Sequence, residues 1–119
     1  MKYFNENYLI QMSDNLDNWF LVSEVDGTEV EDIIRFDYND NTYCIYRLED
    51  GFYATDGICT HESVHLEEGL VMEGNKIECP MHQGIFNIKT GKAVSPPACD
   101  DLKTYPVKVE ENKIYIQLI

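Results

Sequence analysis

The sequence predicts an all-β domain built from many short antiparallel strands. Three observations carry this. Apolar residues fall in short runs or alternate with period two, turn signals rich in Gly, Asn and Asp separate them, and no amphipathic pattern reaches ordinary helix length.

Residues 1 to 18 are polar, rich in Asn and Asp, with Tyr3, Phe4, Tyr8, Leu9 and Ile10 scattered among them. They read as an N-terminal arm ahead of a single domain over 19–119. The texture changes at Trp19-Phe20-Leu21-Val22, a short apolar run fit for a buried strand. Glu24 to Glu31 is acidic and turns at Asp26-Gly27. Ile34, Phe36 and Tyr38 then alternate with Arg35 and Asp37, the signature of a half-buried strand. Asn39-Asp40-Asn41 reverses the chain into Tyr43 to Leu48, Asp50-Gly51 reverses it again, and Phe52-Tyr53-Ala54 follows. Leu70-Val71-Met72, the turn Glu73-Gly74-Asn75 and Lys76-Ile77-Glu78 form a further hairpin. Ile85 to Ile88 is the next strand, Thr90-Gly91 a turn, and Ser95-Pro96-Pro97 a stiff loop outside any ladder. The end reads as one hairpin, Thr104 to Val109 and Lys113 to Leu118 around Glu110-Glu111-Asn112. There is no internal repeat and no low-complexity linker.

The chain has 119 residues, enough for one domain with a modest core. It carries 22 acidic against 9 basic residues, a formal net charge of -13. Nucleic acid and anionic membrane are thereby disfavoured as partners, since both need basic patches. The acidity favours protein partners with basic docking patches, reached by electrostatic steering. Met1 to Ile10 holds one Lys and no apolar run longer than three residues, so neither a signal peptide nor a membrane span is expected. The expected compartment is the reducing cytoplasm, where thiols serve metals more often than disulfides.

The chemistry is concentrated in Cys59-Thr60-His61 and, seventeen residues on, Cys79-Pro80-Met81-His82. Each pair fits one tight loop, and two such loops offer four ligands, two thiolates and two imidazoles. This donor set suits zinc or an iron-sulfur cluster. In zinc fingers each half usually offers like ligands, whereas here both halves are mixed. If the centre holds two irons, each loop can give its Cys to one iron and its His to the other, the Rieske arrangement. Two ferric ions, two sulfides and two thiolates sum to zero charge, against minus two with four thiolates. An electron is added more easily to the neutral cluster, so its potential is higher. A mononuclear iron held by two His and a carboxylate would need more His than the chain can spare: it has three, and only His65 lies outside the motif.

The motif and its surroundings resemble bacterial Rieske-type ferredoxins, above all the ferredoxin components of multicomponent aromatic-ring dioxygenases. The resemblance runs from about Trp19 to Leu118. Besides the four motif residues it rests on Gly51-Phe52-Tyr53-Ala54, Gly69, and the string from Thr90-Gly91-Lys92 to Pro96-Pro97-Ala98-Cys99. It implies stacked antiparallel sheets with a small cluster-binding subdomain at one tip, about 56–97, and one Rieske [2Fe-2S] cluster held by Cys59, His61, Cys79 and His82. It also implies a non-catalytic role, carrying electrons from a flavin-dependent reductase to a terminal oxygenase. Two other readings use the same residues: a small subunit of a nitrite reductase or other redox system, and a structural zinc-binding interaction module.

The respiratory and photosynthetic branch of the Rieske family carries an extra Cys on each ligand loop, and the matching positions here, Val64 and Met81, exclude that disulfide. Hydroxyl donors near the cluster are replaced by Gly84 and Phe86, and acidic Glu62 directly follows a motif His. Fewer donors and more negative charge imply a potential near the low end of the Rieske range, about -150 mV. His65 reads as a loop or surface residue, Cys44 as a small buried hydrophobe in a strand, and Cys99 as structural. Pro96 and Pro97 stiffen either a simple turn or a cover over the cluster.

Overall fold

The computed structural model describes residues 18–60, 63–81, 84–95 and 100–118. The arm up to residue 17, His61, Glu62, His82, Pro96, Pro97 and Cys99 lie outside the described residues. Among the described residues eleven strands form three antiparallel sheets, and the only helix is a 3-10 turn at Leu66–Glu68. The all-β expectation holds. The described residues divide between two compact units, one made by the ends of the chain and one by residues 28–105.

The first unit contains a three-stranded sheet in the order β1 (Trp19–Glu24), β11 (Lys113–Gln117), β10 (Val107–Glu110). Ile114 and Ile116 on the central strand are fully buried. The hairpin between β10 and β11 turns at Glu111 and Asn112, both at positive φ (51° and 69°), as a two-residue turn with the twist of the flanking strands requires.

The second unit holds two four-stranded sheets. One is ordered β2 (Ile33–Tyr38), β3 (Asn41–Leu48), β4 (Gly51–Asp56), β9 (Thr104–Tyr105). The β2–β3 turn is Asn39-Asp40, again with positive φ at both residues (55° and 68°). Strand β3 is central, and Tyr43, Cys44, Ile45 and Tyr46 are buried in succession. That explains why its sequence is a continuous apolar run, not an alternation. The Tyr46 hydroxyl meets the Thr55 hydroxyl at 2.9 Å, which satisfies two polar groups in the core.

The other sheet is ordered β5 (Leu70–Met72), β6 (Lys76–Glu78), β7 (Ile85–Asn87), β8 (Ala93–Ser95). Val71, Ile77, Phe86 and Ala93 stand in register across its four strands, and this row faces the core with Cys44, Tyr46, Leu48, Leu66, Ile88 and Leu102. A bulge between Ile85 and Phe86 leaves Val94 unpaired, and its side chain is exposed.

Three features differ from the sequence reading. Ser95 does join a ladder, opposite Ile85, because the bulge brings a third short strand residue into reach before Pro96. The 3-10 turn has too few residues to show a period. The run Thr104 to Val109 is two strands: Pro106 has no N–H, so pairing breaks there. Thr104 and Tyr105 pair with β4, while Val107 onward pairs with β11.

Candidate metal centre

Strand β4 runs into the first motif loop and β6 into the second. The two loops close in the same way. The Cys59 N–H donates to the Val64 carbonyl (2.9 Å) and the Cys79 N–H donates to the Gly84 carbonyl (2.7 Å), each spanning four residues. The first span carries His61 and the second His82. Beyond the first closure, Ile58 and His65 form an antiparallel bridge and the Leu66 N–H donates to the Gly57 carbonyl (2.9 Å). The loop is therefore the tip of a small hairpin. The hairpin Leu70–Glu78 then carries the chain to Cys79, as the spacing predicts.

Both motif thiols are buried, Cys59 at 4% and Cys79 at 1% exposure, and neither forms a disulfide. They belong to one apolar core, shared with Leu66, Val71, Ile77 and Phe86. Two soft, unbridged, buried sulfur donors at matched loop bases fit a thiolate-bound iron site. His61 and His82, which would complete the donor set, lie outside the described residues.

Supporting contacts fix the loops from outside. Gly69, directly after the 3-10 turn, packs against the Glu78 carbonyl, one residue before Cys79. Arg35 on β2 pairs with Glu67 of the 3-10 turn at 2.9 Å and with Asp37 at 3.0 Å. The guanidinium holds the Asp37 carboxyl below its ordinary range, chiefly by hydrogen bonding. The Thr60 hydroxyl donates to the Asp100 carbonyl at 2.8 Å. Sequence reasoning did not single out Thr60, Arg35 or Asp100, whose contacts span 32 and 40 residues and leave no local pattern.

Of the remaining predicted residues, Cys44 is fully buried, and burial pushes its thiol up to about 12, the behaviour of an inert hydrophobe. His65, expected as a loop or surface residue, lies outside the named strands at an isolated bridge. Its backbone bridges to Ile58, its side chain is half-buried, and Nδ1 is buried with no hydrogen-bond partner among the described residues. Val64 packs on the core and Met81 is 44% exposed. Phe86, where a hydroxyl donor was expected to be missing, is wholly buried.

Residues 18–106 match the model of the Rieske [2Fe-2S] domain. The chain belongs to the Rieske [2Fe-2S] domain family. The ferredoxin component of the naphthalene 1,2-dioxygenase/salicylate 5-hydroxylase systems of Ralstonia sp. is 38% identical over 101 residues, 85% of this chain and 96% of that one. The naphthalene 1,2-dioxygenase ferredoxin component of Pseudomonas putida is 38% identical over 109 residues, 92% of this chain and 91% of that one. Among solved structures, a chain of the complex of reduced oxygenase and oxidized ferredoxin in carbazole 1,9a-dioxygenase superposes with a TM-score of 0.79 at 34% identity, covering 85% of this chain and 94% of that one. This Rieske protein is thus an electron carrier of the dioxygenase-ferredoxin type and not itself a catalyst, and the family implies a Rieske-type [2Fe-2S] cluster.

Proposed function

We propose that Cys59 and Cys79 bind one iron of the cluster, that His61 and His82 bind the other, and that the protein passes single electrons from a flavin-dependent reductase to a terminal Rieske oxygenase. The observation that carries this is the pair of buried, unbridged thiols at the bases of two identically closed loops. When bound, the cluster would supply one reversible one-electron step. The chain's own residues do the rest. Cys59 and Cys79 contribute two negative charges inside the core, and the row Val71, Ile77, Phe86 excludes water from the sulfur side. His61 and His82 would supply imidazole donors, and an imidazole that binds through one ring nitrogen has a second that can carry a proton. The cluster-binding subdomain, about 56–97, takes in β5 to β8.

The relatives named as dioxygenase ferredoxin components, at 38% identity over most of both chains, favour this assignment over a nitrite reductase subunit. The unbridged state of Cys44, Cys59 and Cys79 supports a cytoplasmic location. Among the described residues no helix is long and apolar enough to cross a membrane. The net charge of -13 supports docking on basic patches of both partners.

The test is anaerobic stopped-flow electron transfer with an NADH-linked flavin reductase and a terminal aromatic-ring oxygenase. The visible absorbance should bleach with the reductase and recover with the oxygenase, more slowly as salt is raised. Reduction without any reoxidation by such an oxygenase would remove the proposed place in the chain.

A further inference from the structure

Residues 100–105 form a strap that is tied to three separate parts of the second unit. The Ala93 N–H donates to the Asp101 carboxylate at 2.9 Å, and the Leu102 N–H donates to the Gly91 carbonyl at 2.7 Å, which fixes the strap to the start of β8. Asp56 on β4 donates its N–H to the Lys103 carbonyl at 2.9 Å, and its carboxylate accepts from the Lys103 N–H at 3.3 Å. Leu102 is 3% exposed and belongs to the same core as the two motif thiols. The strap is therefore held by the framework independently of the ligand loops. The first ligand loop is tied to it by the Thr60 hydroxyl, which donates to the Asp100 carbonyl at 2.8 Å across forty residues.

We infer that Thr60 is a positioning residue: its hydroxyl fastens the start of the first ligand loop to the 100–105 strap and so holds Cys59 in place for the cluster. This rests on the ligand assignment above. Thr60 directly follows the proposed ligand Cys59, so any displacement of this part of the loop from the strap must break the Thr60–Asp100 contact. The Cys59–Val64 closure ties the loop backbone to itself, whereas the Thr60–Asp100 contact ties it to the strap. Threonine suits the task because branching at Cβ limits χ1, so the hydroxyl is already aimed when the loop closes. An acceptor on the backbone leaves the contact insensitive to the charge of the Asp100 side chain.

Thr60→Val keeps the shape and removes the donor, Thr60→Ser keeps the donor, and Asp100→Asn alters the side chain while leaving the accepting carbonyl. Each holoprotein is challenged with EDTA under air, and loss of the visible absorbance is timed. Amide hydrogen exchange of residues 59–64 is read in the same samples. A net hydrogen bond of ordinary strength corresponds to about fivefold in an opening equilibrium. Thr60→Val should therefore lose its cluster about fivefold faster and exchange these amides correspondingly faster, with Thr60→Ser and Asp100→Asn close to the wild type. The exchange reports the Thr60 tie whether or not iron is bound. A wrong ligand assignment shows as a wild type without iron, and a wrong strap as unchanged exchange in Thr60→Val. Thr60→Ser behaving like Thr60→Val, or Asp100→Asn opening the loop as much as Thr60→Val, would also overturn the inference.

Discussion

Replacing Gly69 by alanine should damage the metal centre without touching a proposed ligand. The backbone of Gly69 (φ -85°, ψ -163°) is acceptable to any residue, so conformational strain is not the issue. Space is. A Cβ at this position would fall inside the contact shell of the Glu78 carbonyl oxygen, with the Glu78 carbonyl carbon at 3.2 Å and the Leu66 carbonyl oxygen at 3.1 Å. Those neighbours are all backbone, and the Gly69 N–H is itself bound to Leu66 at 2.9 Å, so no side chain can swing aside. The chain at Glu78 must retreat by about 1 Å, and Cys79 is the next residue. Overpacking of this kind costs about 1–3 kcal/mol. At about 2 kcal/mol, a chain of this length should melt roughly 8 °C lower, and iron retained through purification should fall. Gly74→Ala is the comparison. It sits at φ +83°, where a side chain is strained by roughly 1–2 kcal/mol, but its Cβ would meet only the flexible end of Lys76 at 3.6 Å or beyond. It should lower the melting temperature and leave the iron content intact. A Gly69→Ala protein that melts within about 1 °C of the wild type with full iron would refute the close-packing argument.

Three further outcomes are expected. His82→Cys should retain a cluster with a lower potential by voltammetry, because a third thiolate makes the centre more negative, whereas Cys59→Ser should purify without iron. The wild-type potential should lie near the low end of the Rieske range, about -150 mV, and fall further at alkaline pH as reduction favours protonated imidazole; a clearly positive value would contradict the missing donors at Gly84 and Phe86. The buried Cys44 thiol keeps its proton up to about pH 12, against an ordinary 9.0, so above pH 9 the unfolded chain binds fewer protons than the folded one. Stability should then fall by up to about 1.4 kcal/mol per pH unit from this group, and melting curves of Cys44→Ala between pH 9 and 10 should be correspondingly flatter, an equal slope counting against it.

Much of the fold was legible because its signals are local. The turns at Asn39-Asp40 and at Asn112 contain residues that tolerate positive φ, and the hairpin Leu70–Glu78 is signalled by the apolar run Leu70-Val71-Met72, a Gly-Asn turn and the alternation Lys76-Ile77-Glu78. The two motif cysteines were legible for the same reason, since each pair occupies one loop. What was hidden depends on distant partners. Pro106 sits in a run that reads as one strand, and only its two different neighbours, β4 and β11, reveal two. Thr60 meets Asp100 forty residues away, and Gly69 meets Glu78 across a hairpin, contacts that no period or spacing encodes. His65 reads as an ordinary loop residue until its backbone is seen closing the hairpin with Ile58.

The most direct test of the cluster and its mixed ligands is spectroscopic. Iron, sulfide and zinc are measured on anaerobically purified protein, and electron paramagnetic resonance is recorded before and after dithionite. The account predicts two irons and two sulfides per chain, no signal when oxidised, and a signal on reduction that shows couplings from two histidine nitrogens and loses one of them in His82→Cys. A colourless zinc protein, silent after attempted reconstitution, would contradict it and leave the four residues as a structural staple.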